Sequence, residues 1–120
     1  MTFRLGGIFC YALIVSEIMT HVLFTTNAAL FCILIFDGAK IIQLSDNIYN
    51  DFSPHINTQG QVVWFGHDGY DFEIFLYDGA KTIQLTDNER NDRNPHMNDN
   101  GQVVWEADIG DIEIFLANPN

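Results

Sequence analysis

An internal repeat constrains this chain more than any other feature. Residues 37–64 align with residues 78–105 at an offset of 41, and 19 of the 28 aligned positions are identical. After one deleted residue the match resumes, so that residues 73–76 (EIFL) correspond to residues 113–116. A period of about 40 residues is typical of repeat architectures, in which each unit buries its apolar face on a neighbouring copy. The chain is therefore predicted to consist of copies of one small unit.

Strand signals dominate the chain after residue 36, and no helical period or cap stands out there. Short runs rich in β-branched and aromatic residues, such as residues 61–64 (QVVW), are typical of strands. Asp-Gly pairs at residues 37–38 and 78–79 lie between apolar runs, where they are a strong signal for a hairpin turn. The downstream chain is therefore predicted to be all β.

Counting the strand signals defines the repeated unit. Residues 54–86 hold four strands in succession, which is enough for one complete antiparallel sheet. Residues 31–45 supply the last two strands of a preceding unit, and residues 95–116 supply the first three of a following one. Four-stranded units of about 40 residues are typical of propeller blades. The predicted fold class is all-β, with antiparallel four-stranded propeller-blade repeats (one full blade, two partial) in residues 31–120.

The first 30 residues are apolar and differ from the rest. Residues 5–15 (LGGIFCYALIV) have the length of a signal-peptide core and are too short to span a bilayer as a helix. Glu17 and His21 weaken a membrane assignment, because ionisable groups are costly there. Three interpretations of residues 1–30 stay open: a signal peptide or anchor that could be helical, a degenerate repeat with apolar strands, or an unrelated hydrophobic leader. If uncleaved, residues 5–28 would contact a membrane.

The charge and the cysteines narrow the function classes. All of the net charge of −11 lies after residue 36, where 15 acidic residues accompany four basic ones. Such a surface repels phosphate backbones and argues against a nucleic-acid partner. Cys10 and Cys32 form no Cys-x-x-Cys pair, so a zinc or thiol redox site has no support. They are predicted to be buried or membrane-embedded thiols, with a single disulfide as the alternative.

The repeated motifs resemble a known family. Residues 54–64 read PxINxxGQVVW, residues 68–79 read DGxDxEIFLYDG, and residues 84–86 read QLT. In this order they are similar to the TolB-type, WD40-like β-propeller repeat, in the version that secreted bacterial proteins carry in tandem. The resemblance spans residues 31–116 and implies four-stranded blades around a central axis, with a role in binding or scaffolding. Related propellers in prolyl-oligopeptidase-type enzymes leave catalysis to a separate hydrolase domain, of which this sequence shows no part.

The number of blades departs from that family. Propellers close with about four to eight blades, and one full blade with two partial ones cannot form a closed ring. Residues 31–45 could complete the unit at residues 95–116, within one chain or between chains. Exposed sheet edges favour pairing with other copies. We therefore expect a protein partner or self-association through exposed sheet edges, in an assembling module or in a fragment of a longer product.

Acidic and amide side chains give the best candidate ligand site. Asp-Asn pairs followed by Asn-Asp pairs recur in the loops before Pro54 and Pro95. Calcium takes about six to eight oxygen ligands, which such loops could supply. These residues are also ordinary turn formers, and their spacing is not that of an EF-hand. The candidate calcium ligands are Asp46, Asn50, Asp51, Asp87, Asn91 and Asp92.

Other conspicuous residues are assigned structural roles. His55 and His96 are repeat-equivalent and are expected one unit apart, which argues against a metal pair. Trp64 and Trp105 end apolar strands and are predicted to fill the core between units. Nucleophilic catalysis has no candidate, because no serine lies in a Gly-x-Ser-x-Gly elbow. No pocket for a pair of acid–base carboxylates is indicated either.

The sequence therefore favours a non-enzymatic β-propeller-like repeat module for protein–protein or ligand binding, with no catalytic or cofactor-binding residues. One alternative is a truncated propeller fragment with only a structural role in a larger assembly. Another is an extracytoplasmic enzyme, a hydrolase or lyase. The expected location is extracellular or periplasmic, or membrane-anchored if the N-terminal segment is not cleaved.

Overall fold

The computed structural model describes residues 2–5, 8–15, 20–22, 31–36, 40–45 and 49–119, with strand backbones only before residue 31. Every regular element in these residues is a strand. None of the described segments is an apolar helix of membrane-spanning length. The strands are β1 (Thr2–Leu5), β2 (Ile8–Val15), β3 (Thr20–Val22), β4 (Phe31–Phe36), β5 (Ile41–Gln43), β6 (Asp51–Ile56), β7 (Val62–His67), β8 (Phe72–Tyr77), β9 (Thr82–Gln84), β10 (Asp92–Met97), β11 (Val103–Asp108) and β12 (Ile112–Ala117).

The second sheet consists of β6, β7, β8 and β9 in sequence order, each strand antiparallel to the next. This confirms the predicted four-stranded antiparallel unit. Its first strand begins at Asp51, earlier than Pro54, where the prediction placed it. A register shift between Phe52 and His55 and a left-handed Ser53 (φ 52°) interrupt the ladder there. A proline can occupy this strand because the irregularity removes the need for its N–H.

The third sheet repeats the first three strands of the second in the order β10, β11 and β12. Its register is the same: Trp105 is opposite Phe115, as Trp64 is opposite Phe75. Asn94 repeats the left-handed backbone conformation, with φ of 54°. The repeat in the sequence is therefore a repeat of backbone geometry as well.

The first sheet has the order β1, β2, β4, β5, with β3 also paired to β2. The antiparallel pair of β4 and β5 confirms the two strands predicted in residues 31–45. Strand β2 pairs with β4 in parallel, which departs from an all-antiparallel blade. Strands β1, β2 and β3 are the described parts of residues 1–30, and a helix elsewhere in that segment stays a prediction. An aromatic and β-branched run suits a strand beside an equally apolar β4.

Two further expectations concern the same region. Cys32 is buried in β4 and disulfide-bonded, so the free thiol predicted for this residue is wrong. The interpretation of residues 1–30 as a signal peptide, an anchor or a degenerate repeat stays a prediction. Much of that segment, including residues 16–19 and 23–30, lies outside the described residues.

The described sheets stack face to face, and the second sheet lies between the other two. One core cluster joins the first and second sheets, and another joins the second and third. Trp64 lies in the former and Trp105 in the latter, which confirms that the tryptophans fill the core between units. The stack is all β, and its described residues do not form a closed ring of blades. The residues of the two clusters are Ile33, Ile35, Leu44, Val62 and Trp64, and then Val63, Phe65, Ile74, Leu76, Val103, Trp105 and Ala107.

Candidate functional site

A fully buried carboxyl group lies next to the segment that connects the second sheet to the third. Glu73 is in β8, between the half-buried Phe72 and the buried Ile74, and its side chain is completely buried. The hydroxyl of Thr86 donates a hydrogen bond to Oε2 of Glu73. The backbone N–H of Asn88 donates to Oε1 at 3.0 Å. Glu73 therefore ties β8 to the segment that leads into the third sheet.

The surroundings of Glu73 change its protonation. Burial raises the pKa of Glu73 to about 8, because it disfavours the charged form. The donors Thr86 and Asn88 act in the opposite direction, and the carboxyls of Asp71 and Asp92 raise the pKa further. Glu73 is therefore mostly protonated at neutral pH. Oδ1 of Asp71, which belongs to one of these two carboxyls, is buried and receives no hydrogen bond from the described residues.

Glu73 belongs to a small acidic cluster. The cluster consists of Asp68, Glu73 and Asp87, each of which contributes one carboxylate oxygen. These three oxygens lie within 4.8 Å of one another. Partial burial opposes ionisation of Asp68, but the backbone N–H groups of Tyr70 and Asp71 outweigh it and lower its pKa. An open cavity of about 370 Å³ adjoins the cluster, lined by Asp68, Tyr70, Asp71, Asp87, Asn88 and Glu89.

Oxygen ligands at this spacing have the chemistry of a hard-cation site. A protonated Glu73 opposes cation binding at neutral pH, because a ligand carboxylate must lose its proton. Of the five predicted calcium ligands that the structure describes, only Asp87 lies in the cluster. Asp68 and Glu73 were not among the predicted ligands, although an acid inside an apolar strand (FEIFLY) is the signal that could have singled out Glu73.

The remaining predicted ligands have structural contacts where they are described. Asp92 is buried and accepts hydrogen bonds from Nε1 of Trp105 at 3.1 Å and from Nδ2 of Asn88 at 2.6 Å. Oδ1 of Asn91 accepts from the backbone N–H of Phe72 at 3.0 Å, which links β8 to the start of β10. The corresponding Asn50 and Asp51 lie one unit earlier, next to and within β6. Asp46 lies outside the described residues.

His55 and His96 lie in adjacent units, as predicted, but the units approach so closely that the two rings are in contact. Their centroids are 4.2 Å apart, with the planes inclined by 47°. Burial and the neighbouring His96 lower the pKa of His55. The first strands of the second and third sheets, β6 and β10, therefore meet through a pair of imidazoles.

The third sheet presents an exposed apolar surface, the outward face, on the side away from the second sheet. Ile114 and Leu116 are 69% and 63% exposed, whereas their repeat equivalents Ile74 and Leu76 are 0% and 2% exposed. The difference arises because the third sheet covers the latter pair. The register places the members of the outward face on one side of the sheet: Val104, Glu106, Asp108, Ile112, Ile114 and Leu116.

The third sheet also differs from the second in the pairing of its third strand. In the second sheet, β9 pairs with the outer edge of β8. In the third sheet, no described strand pairs with the corresponding edge of β12. The open edge of β12 is not visible in the sequence of this strand, because residues 113–116 repeat residues 73–76 without change. The outward face does differ in sequence, since Glu106 and Asp108 stand where the second sheet has Phe65 and His67.

Comparisons of the chain with protein-family models, with curated proteins and with solved structures find no match. The resemblance to the TolB-type repeat therefore stays a prediction that rests on the motifs.

Proposed function

We propose that this chain is a non-enzymatic repeat module that binds protein, itself included, through the outward face of the third sheet. The single observation behind the proposal is the exposure of Ile114 and Leu116 at positions whose equivalents are fully covered in the second sheet. Contiguous apolar surface on a folded protein commonly marks an interaction site. Sheet stacking in the rest of the molecule supplies a precedent, since the same side chains bind the next sheet there.

The outward face also carries acidic groups that shape its choice of partner. Glu106 is opposite Ile114 and Asp108 is opposite Ile112 in the ladder of β11 and β12. The equivalent positions in the second sheet are Phe65 and His67. A partner with an apolar centre and basic side chains around it would complement this surface best. Two copies of the chain repel each other through their net charge of −11, so salt should strengthen self-association.

The proposed propeller architecture and export belong to the same proposal. The stack of repeated antiparallel sheets supports the former, and the apolar character of residues 5–15 supports the latter. The function does not depend on either, because the outward face lies within one described sheet.

The first prediction tests this function by sedimentation velocity over a range of micromolar concentrations, at low and at high salt. We expect reversible self-association of the wild-type chain that becomes stronger at high salt. The double variant Ile114→Lys/Leu116→Lys should be monomeric with an unchanged circular dichroism spectrum, because it charges an exposed surface without opening the core.

The matched control is Gln59→Lys/Ala80→Lys, which adds the same charge at two exposed turn positions away from the outward face. It should associate as the wild type does. A wild-type chain that stays monomeric under all conditions would overturn the proposal. So would association that survives the double substitution at Ile114 and Leu116.

A further inference from the structure

In the second sheet, the outer edge of the third strand, β8, is paired with the fourth strand, β9. Strand β9 lies antiparallel to β8, with Ile83 opposite Leu76 and Gln84 opposite Phe75. Beyond the strand, the N–H of Leu85 donates to the carbonyl of Ile74 at 2.7 Å. The pairing therefore extends along β8 from Tyr77 to Ile74.

A hydroxyl group completes this pairing. Oγ1 of Thr86 accepts a hydrogen bond from the N–H of Ile74 at 2.8 Å, and its hydroxyl donates to the carboxyl group of Glu73. One side chain thus satisfies two groups of β8. Strand β9 and the residues after it are thus held by backbone hydrogen bonds and by one polar side chain. When a separate strand is added to a sheet edge, backbone hydrogen bonds give affinity and side-chain contacts give specificity.

The first sheet repeats the arrangement with different side chains. The N–H of Leu44 donates to the carbonyl of Ile33 at 2.9 Å, and the N–H of Ile33 donates to Oγ of Ser45 at 2.8 Å. The segments that supply these contacts are residues 41–45 (IIQLS) and residues 82–86 (TIQLT). Both end in Gln-Leu followed by a hydroxyl residue. Two of the three sheets therefore bind the same kind of strand.

The third sheet offers the same edge. Strand β12 has the register of β8 against its inner neighbour, so Ile114 corresponds to Ile74 and Glu113 to Glu73. Glu113 is exposed, whereas Glu73 is buried beneath the segment that follows β9. An open strand edge is a template for pairing with another strand.

We infer that the outer edge of β12 binds an extended strand of the pattern Ile-Gln-Leu-(Ser/Thr), antiparallel to β12, with its hydroxyl group on the N–H of Ile114 and the carboxyl group of Glu113. The inference rests on the proposed function and names the chemistry of the partner. In the second sheet, Ile83 is opposite Leu76, and Leu85 packs against the core cluster that contains Leu76. The bound strand would therefore widen the outward face by two apolar side chains.

The second prediction tests this edge with a synthetic peptide of residues 81–88 (KTIQLTDN) added to the full chain. Fluorescence anisotropy should show saturable binding, and hydrogen exchange should show new protection of the Ile114 amide. A peptide with Thr86→Val should bind about tenfold more weakly, because it leaves a donor and an acceptor of β12 unpaired. A scrambled peptide of the same composition should not bind.

Protein variants locate the site independently of the peptide chemistry. Glu113→Ala should weaken binding about tenfold, because it removes the acceptor for the hydroxyl group of the bound strand, whereas Glu89→Ala, at an exposed acid outside β12 and the outward face, should leave it unchanged. The inference is wrong if the peptide does not bind, if it binds no better than its scrambled form, or if protection appears at Ile74 instead of Ile114. Loss of peptide binding while the chain still self-associates through Ile114 and Leu116 would remove the strand partner and leave the proposed function standing.

Discussion

Glu73 and Glu113 hold the same place in two copies of the repeat, and their surroundings give them different chemistry. Glu73 is enclosed and receives hydrogen bonds from Thr86 and Asn88, whereas Glu113 is exposed. Burial of an acid favours its neutral form, which is why the pKa of Glu73 rises to about 8. The folded chain therefore keeps a proton that the unfolded chain loses near pH 4.5.

The third prediction follows from this linkage. Because the folded-state pKa is raised, the contribution of Glu73 to stability is fully present below about pH 4.5 and is lost as the pH rises through about 8. Glu73→Gln cannot ionise, so its stability relative to the wild type should increase across that window, by an amount on the order of 3 kcal/mol. Denaturant unfolding at a series of pH values measures the difference.

The exposed equivalent supplies the control for that experiment. Glu113→Gln should leave the pH dependence of the wild-type chain nearly unchanged, since its carboxyl group is exposed. A stability difference between Glu73→Gln and the wild type that does not vary with pH would contradict the raised pKa of Glu73.

At the scale of elements, the contact of β6 with β10 includes two imidazole rings that touch each other. His55 is half-buried and His96 is exposed, with 4.2 Å between the ring centroids. Burial and the neighbouring His96 together disfavour protonation of His55, so its pKa is lowered from 6.5. The contact between β6 and β10 is therefore most stable when His55 is neutral.

The fourth prediction concerns acidification. For a histidine with a lowered folded-state pKa, the stabilising contribution is present above the unfolded pKa of 6.5 and is lost as the pH falls below it. The double variant His55→Asn/His96→Asn should lose less stability than the wild type between neutral pH and pH 5. The difference should be about 1 kcal/mol at most, because water screens the exposed partner.

Thermal unfolding of both proteins across this pH range is the measurement. His96→Asn alone should recover only part of the effect, since burial of His55 remains. Parallel losses in the wild type and the double variant would show that the imidazole pair does not contribute to the acid sensitivity.

The strands were predictable because their signals are local, and the exceptions have local causes too. Residues 61–64 and 73–76 read as strands from composition and turns alone. The early start of β6 at Asp51 was missed, because a bulge lets a strand pass through Pro54. The N-terminal run that forms β2 was ambiguous, since an 11-residue apolar segment suits a strand, a buried helix or a signal-peptide core.

At the scale of the molecule, the candidate site was much harder to predict, because identical motifs meet different neighbours. Trp105 donates its indole N–H to Asp92, whereas Nε1 of Trp64 is buried with no acceptor among the described residues. The recurring Asp and Asn residues suggested calcium loops, yet Asp92 serves the packing of Trp105. Composition identifies such side chains, and only the stacking order of the sheets decides which of them are covered.

The stacking order leads to the fifth prediction, a matched pair of truncations in the two repeat copies. Leu76 is buried between the second and third sheets, and Leu116 is its exposed equivalent on the outward face. Leu76→Ala should lower the free energy of unfolding by about 2–5 kcal/mol, because it leaves a cavity in the core. Leu116→Ala should change it by about 0.5 kcal/mol or less, as surface substitutions do. Denaturant unfolding at concentrations low enough to keep the chain monomeric compares the two, and equal losses would mean that Leu116 is covered within a single chain, which would remove the outward face as a binding surface.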